Sequence, residues 1–132
     1  MANLKELIRK AKKADACNEA IEEVSQYKTF KEFVLNSPNA LDYLYWYARN
    51  VIKGRWPEAE EVIIKSVWCS YNYSECIIKG RWPEAEETIM KSAECSYYYA
   101  LNVIKGRWPE AEEIIKTDPE VYSLYKKRFN LE

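Results

Sequence analysis

The phrase "VIKGRWPEAEE" at residues 51–61 returns almost unchanged at residues 77–87 and again at 103–113. Gly54, Gly80 and Gly106 stand 26 residues apart, as do Trp56, Trp82 and Trp108, and as do Ser66, Ser92 and Asp118. A period held this strictly, with no insertion, makes each unit one structural module. A module of this size buries too little apolar surface alone, so its neighbours must complete the core.

The punctuation inside "SVWCSYNYSECIIKGRWPEAEETIMK" is helical. Ser66 is a good N-cap, and Asp118-Pro119-Glu120 states the same start more strongly: a cap, a proline at the first helical position, then an acid. Val67, Ser70, Tyr71, Ser74, Ile77 and Ile78 follow the i, i+3, i+4, i+7 spacing of a helix. Gly80 ends the run, where a left-handed residue is expected to stop the helix, and the same role accounts for Gly54 and Gly106. Arg81-Trp82 then leads to Pro83, which opens a second helix with Glu84, Glu86 and Glu87 in its first turn. Each unit reads as an αα-hairpin, a helix of about 13 residues and one of about nine joined by a short turn.

The longer helix carries a second apolar stripe: Tyr43, Tyr47 and Val51, then Cys69, Tyr73 and Ile77, then Cys95, Tyr99 and Val103. A helix apolar over more than half its circumference must be packed on more than one side. The expected fold is therefore all-α, a solenoid-like stack of short αα-hairpins with 26-residue repeats and an N-terminal helical cap, in a single domain over residues 1–132. The cap spans residues 1–40, with inward sets Leu4, Leu7, Ile8 and Ala11, then Cys17, Ala20, Ile21 and Val24, then Phe30, Phe33 and Val34. Three hairpins occupy residues 41–117, and a C-terminal capping helix fills 118–132, its polar face supplied by Lys126, Lys127 and Arg128.

Twenty basic residues against 21 acidic ones leave a net charge of −1, which argues against a nucleic-acid partner. The basic runs at Lys5–Lys13 and Lys126–Arg128 read as solvated helix faces. "MANLKELIRKAKKADA" has no apolar stretch long enough for a signal peptide or a membrane span, so a cytoplasmic protein with no membrane partner is expected. There the four cysteines, Cys17, Cys69, Cys76 and Cys95, would serve as small core hydrophobes. With no histidine and no CxxC pair, neither a metal nor a cofactor is expected.

The absence of histidine also removes Ser-His and Cys-His nucleophile systems, and the glycines are accounted for as helix stops, so no phosphate loop remains. A non-enzyme is expected. Two surfaces are candidates for recognition. On the longer helix the positions facing away from both stripes vary between copies: Asp42, Trp46 and Arg49, then Trp68, Asn72 and Glu75, then Glu94, Tyr98 and Leu101. Large aromatics outside the apolar stripes are typical interface anchors. Trp46, Arg49, Trp68, Asn72, Glu75 and Tyr98 are thus the candidate contacts for a protein partner or for a second copy of the chain. The alternative is the edge formed by Arg55-Trp56, Arg81-Trp82 and Arg107-Trp108, a ladder of guanidinium and indole suited to a nucleotide-like ligand. The same pairs could equally plug the joints between hairpins.

"YWYARNVIKGRWPEAE" and its two echoes resemble tandem short helical repeats in uncharacterised bacteriophage and prophage proteins. The leading stretch "ADACNEAIEEV", followed by "TFKEF" and "LDYLYWYA", resembles a helical module recurrent in phage and bacterial proteins, with Ala16, Cys17, Glu19 and Ala20 matching its opening. The resemblance implies a phage-like origin and a helical repeat, with no catalytic residues. It suggests interference with a bacterial defence system, as an anti-CRISPR-like inhibitor of a host protein in the bacterial cytoplasm.

Overall fold

The computed structural model describes residues 3–131, and all regular structure among them is helical. Two compact units are present, one ending at Ile63 and one beginning at Ile64.

The first unit contains α1 (Leu4–Lys13), α2 (Asn18–Ser25), α3 (Phe30–Asn36), α4 (Ala40–Tyr47) and α5 (Pro57–Ile63). Local capping sets several of these starts. Asn3 Oδ1 accepts from the amides of Lys5 and Glu6 at 3.0 and 3.3 Å, and Thr29 Oγ1 accepts from the Glu32 amide at 3.1 Å. Helix α1 packs on α2, α3 on α4, and α4 on α5. Leu4, Phe30, Phe33, Leu44, Tyr47 and Ile63 are buried between them. Glu23 on α2 gathers the chain ahead of α4. Its carboxylate accepts from the Ser37 hydroxyl, from Asn39 Nδ2 at 2.9 Å and from the Tyr43 hydroxyl at 3.3 Å. The Ser37 bond foremost, with those from Asn39 and Tyr43, holds Glu23 below the usual carboxylate range.

The second unit contains α6 (Val67–Tyr73), α7 (Pro83–Ile89), α8 (Ala93–Tyr99), α9 (Glu112–Ile115, entered through a 3₁₀ turn at Pro109–Ala111) and α10 (Pro119–Arg128). Helices α6, α8 and α10 pack in succession, with α7 against α6 and α8, and α9 against α8 and α10. The predicted caps are in place: Ser66 and Ser92 accept from the amides of Cys69 and Cys95 at 3.2 and 3.1 Å, and Asp118 from Glu120 and Val121 at 3.1 and 3.2 Å. Tyr73 and Tyr99 of the second stripe are completely buried, as are Tyr125, 26 residues on from Tyr99, and Ala85, Ile89, Ala111 and Ile115.

The helix ends differ from expectation. Helices α4, α6 and α8 each run on into a five-residue π-helical segment, Ala48–Ile52, Ser74–Ile78 and Ala100–Ile104. The amides of Lys53, Lys79 and Lys105 close these segments on the carbonyls of Ala48, Ser74 and Ala100, each at 2.8 Å. Those lysines take the left-handed conformation, with φ of 58°, 60° and 61°, and no glycine has a positive φ. The wider closing turn brings the reversal onto the lysine, one residue before the glycine assigned to it from sequence. A side chain in this region costs roughly 1–2 kcal/mol, so the stop is mildly strained.

The cysteines also depart from the predicted pattern. Cys95 is buried, Cys69 and Cys76 are half-buried, and Cys17 is exposed. Cys17 occupies the N-cap of α2, outside the helical stripe that would have carried it inward. No helix among the described residues is long and apolar enough to cross a membrane.

Candidate functional site

The repeated Arg-Trp pairs occupy the hairpin joints. Arg81 makes two parallel bonds to Glu86, Nε to Oε2 at 2.8 Å and Nη2 to Oε1 at 2.9 Å. Arg55 holds Glu60 at 2.9 and 2.8 Å in the same way, and Arg107 holds Glu112 at 2.9 and 2.9 Å. In the second unit a tyrosine completes each joint. The Tyr99 hydroxyl accepts from the Trp82 amide at 2.8 Å and donates to Glu86 Oε2 at 2.8 Å. Tyr125 does the same between the Trp108 amide, at 2.8 Å, and Glu112 Oε2, at 2.6 Å.

Burial alone would raise the Glu86 carboxyl, but the bonds from Arg81 and Tyr99 outweigh it and leave the group below its ordinary value. The indoles lie against tyrosine rings, with centroids 5.0 Å apart for Tyr47–Trp56, 5.0 Å for Tyr73–Trp82 and 4.8 Å for Tyr99–Trp108. Trp56, Trp82 and Trp108 are 7%, 2% and 1% exposed. A base stacking on this edge would need indole faces that the tyrosines already cover.

A different surface is open. Trp68 on α6 is 46% exposed, although Ser70 two residues on is fully buried. At about 100° per residue the two positions lie on nearly opposite sides of the helix. Around Trp68 gather Tyr71 and Tyr98, each with its centroid 6.2 Å away, and these two rings lie 6.1 Å apart. Tyr97 extends the group at 5.4 Å from Tyr98. The cluster is pinned from beneath: the Tyr71 hydroxyl donates to Glu75 Oε1 at 3.0 Å and accepts from Asn102 Nδ2 at 2.8 Å. Burial pushes the Tyr71 phenol up to about 12, so it stays a neutral donor at any physiological pH.

Of the residues singled out from sequence, Trp68, Glu75 and Tyr98 come together here, and half-buried Asn72 lies on the same helix. Trp46 and Arg49 belong to the first unit, Trp46 lining a pocket there and Arg49 exposed in the π segment. Sequence reasoning missed Tyr97 and Asn102. Tyr71 keeps the inward place its spacing predicts, at 6% exposure, and supports the cluster from beneath; its 26-residue register with Tyr97 hinted at a shared surface. Among the described residues, no group of three or more acids or cysteines could hold a metal ion. No family model, curated protein or solved structure shows a significant match to this chain.

Proposed function

We propose that this chain is a non-catalytic binding protein, a solenoid-like stack of short helical hairpins that presents the Trp68 surface to a protein partner. The observation that carries this reading is the exposed indole of Trp68, set among three tyrosines drawn from two successive repeats. Tryptophan and tyrosine dominate the binding energy of protein interfaces, because they bury a large area for little lost conformational freedom. The repeat favours display as well. Each joint keeps the same Arg-Glu pair, while the outward positions change from Trp68 to Glu94 and from Asn72 to Tyr98. The resemblance to phage repeats supports a host bacterial protein as the partner, occluded in the bacterial cytoplasm as part of an anti-defence, anti-CRISPR-like role.

The test is capture from bacterial lysate with the tagged protein and its Trp68→Ala/Tyr98→Ala variant. The native chain should retain a distinct host protein. The variant should bind it about 30-fold or more weakly, the loss of at least one anchor residue. Its helical circular dichroism should not change, since Trp68 is 46% exposed and Tyr98 half-buried. A Leu35→Ala control, altering an exposed apolar residue (69%) elsewhere, should capture normally. Undiminished capture by the double variant would sink the proposal. Its monomerisation of a native dimer would reassign the surface to self-association.

A further inference from the structure

The first unit holds an open-mouthed cavity of about 460 Å³ lined by residues of α1 to α4 and by Trp56, a volume typical of small-ligand sites. Its lining is mainly apolar. Buried Leu4 and Leu44 and half-buried Leu7 and Ile21 contribute aliphatic surface. Five aromatic side chains, Phe33, Tyr43, Trp46, Tyr47 and Trp56, also line it. The charged residues lining the cavity are Asp15 and Asp42, both exposed, and no described lysine or arginine joins them. Asp15 is held at the turn between α1 and α2 in a left-handed conformation, φ 65°. The cation of Arg9 on α1 is already matched by Glu6, through its Nε at 3.2 Å and through Nη2.

Two features therefore define the ligand: the exposed carboxylates favour a cation, and the aromatic and aliphatic lining favours an apolar body. We propose that this cavity binds an organic ammonium compound, with an apolar body of aromatic size and one positive charge. The body fills the apolar interior, and the ammonium sits at the mouth beside Asp15 and Asp42. An anion of the same shape is disfavoured by the same carboxylates. The lining residues all belong to the first unit, and the site does not depend on the role proposed for Trp68.

Three isosteric probes test the assignment: 1-naphthylmethylamine, 1-naphthalenemethanol and 1-naphthoate. Calorimetry on the full chain should rank the amine above the alcohol and the alcohol above the carboxylate. Replacing Asp15 and Asp42 together with asparagine should weaken the amine about fivefold, the worth of two solvent-exposed charge pairs, and leave the alcohol unchanged. Ala20→Trp should fill the cavity and abolish binding of all three. Ala16→Phe is the second filler if the first variant loses its helical signal. Exposed Cys17 lines the same cavity and supplies a second readout. Its alkylation, followed by peptide mass, should slow when the amine is added. Equal affinity for amine and alcohol, carboxylate binding as tight as amine binding, no binding by any probe, or amine binding that survives both fillers would each overturn the proposal.

Discussion

The hydroxyl of Tyr99 shows how much one atom can carry in a repeated joint. It satisfies the buried amide of Trp82 and one oxygen of Glu86, which in turn receives Arg81. Tyr99→Phe keeps the ring against Trp108 but leaves the Trp82 amide without its acceptor. It should cost about 1–3 kcal/mol in urea unfolding, whereas Tyr98→Phe should cost under about 0.5 kcal/mol. The pH dependence follows from the same groups. Glu86 and Glu112 are held below 4.5, so the unfolded chain takes up protons first as the solution is acidified. Their contribution is complete above 4.5 and is lost as pH falls through the folded values. Tyr71 and Tyr125 are raised from 10 to about 12 by burial, so their contribution is complete below 10 and disappears across that alkaline interval. Glu86→Gln should flatten the acid limb of stability against pH and leave in place the part of the alkaline limb set by Tyr71 and Tyr125. The caps at Ser66 and Asp118 could be read directly because cap and amide lie within three residues of each other. Tyr99 could not, because its partner amide lies 17 residues upstream.

At the scale of the element, the π segments decide where each long helix stops. Reading "IIKG" by the usual helix-stop rule puts glycine in the left-handed position, yet the structure puts Lys79 there. Gly80 keeps a φ open to other residues, and a Cβ built on it meets nothing within 4 Å. Gly80→Ala should therefore stabilise the protein by about 0.4–1 kcal/mol, through the lost freedom of the unfolded chain. Lys79→Val should destabilise it by about 1 kcal/mol or more, because a β-branched residue fits poorly at positive φ. Thermal or urea unfolding of the two variants reads both effects, and the order would reverse if glycine were the left-handed residue. Helix type and helix starts were legible because their signals are local. The π closure was not, since it differs from an α-helical stop by one hydrogen bond and no residue type announces it.

At the scale of the molecule, each compact unit holds one feature open to a proposed ligand or partner, a cavity in the first and an aromatic cluster in the second. Trp46→Ala should weaken the naphthyl amine while partner capture stays at the native level, measured by calorimetry and pull-down on the same preparation. Paired losses of both would show that the sites are not independent. What the sequence determined by itself was the helical class, the 26-residue period, the caps and the prolines that open the second helices, because each depends on residues only a few positions apart. The outward place of Trp68 was legible from its spacing, but whether Trp82 formed an open edge or a plugged joint was decided by the tertiary structure alone. Trp82 and Trp68 are the same residue type in the same repeat, yet one is 2% exposed and the other 46%. Exposure depends on what packs alongside, and Tyr99, which closes over the Trp82 joint, arrives from the following repeat.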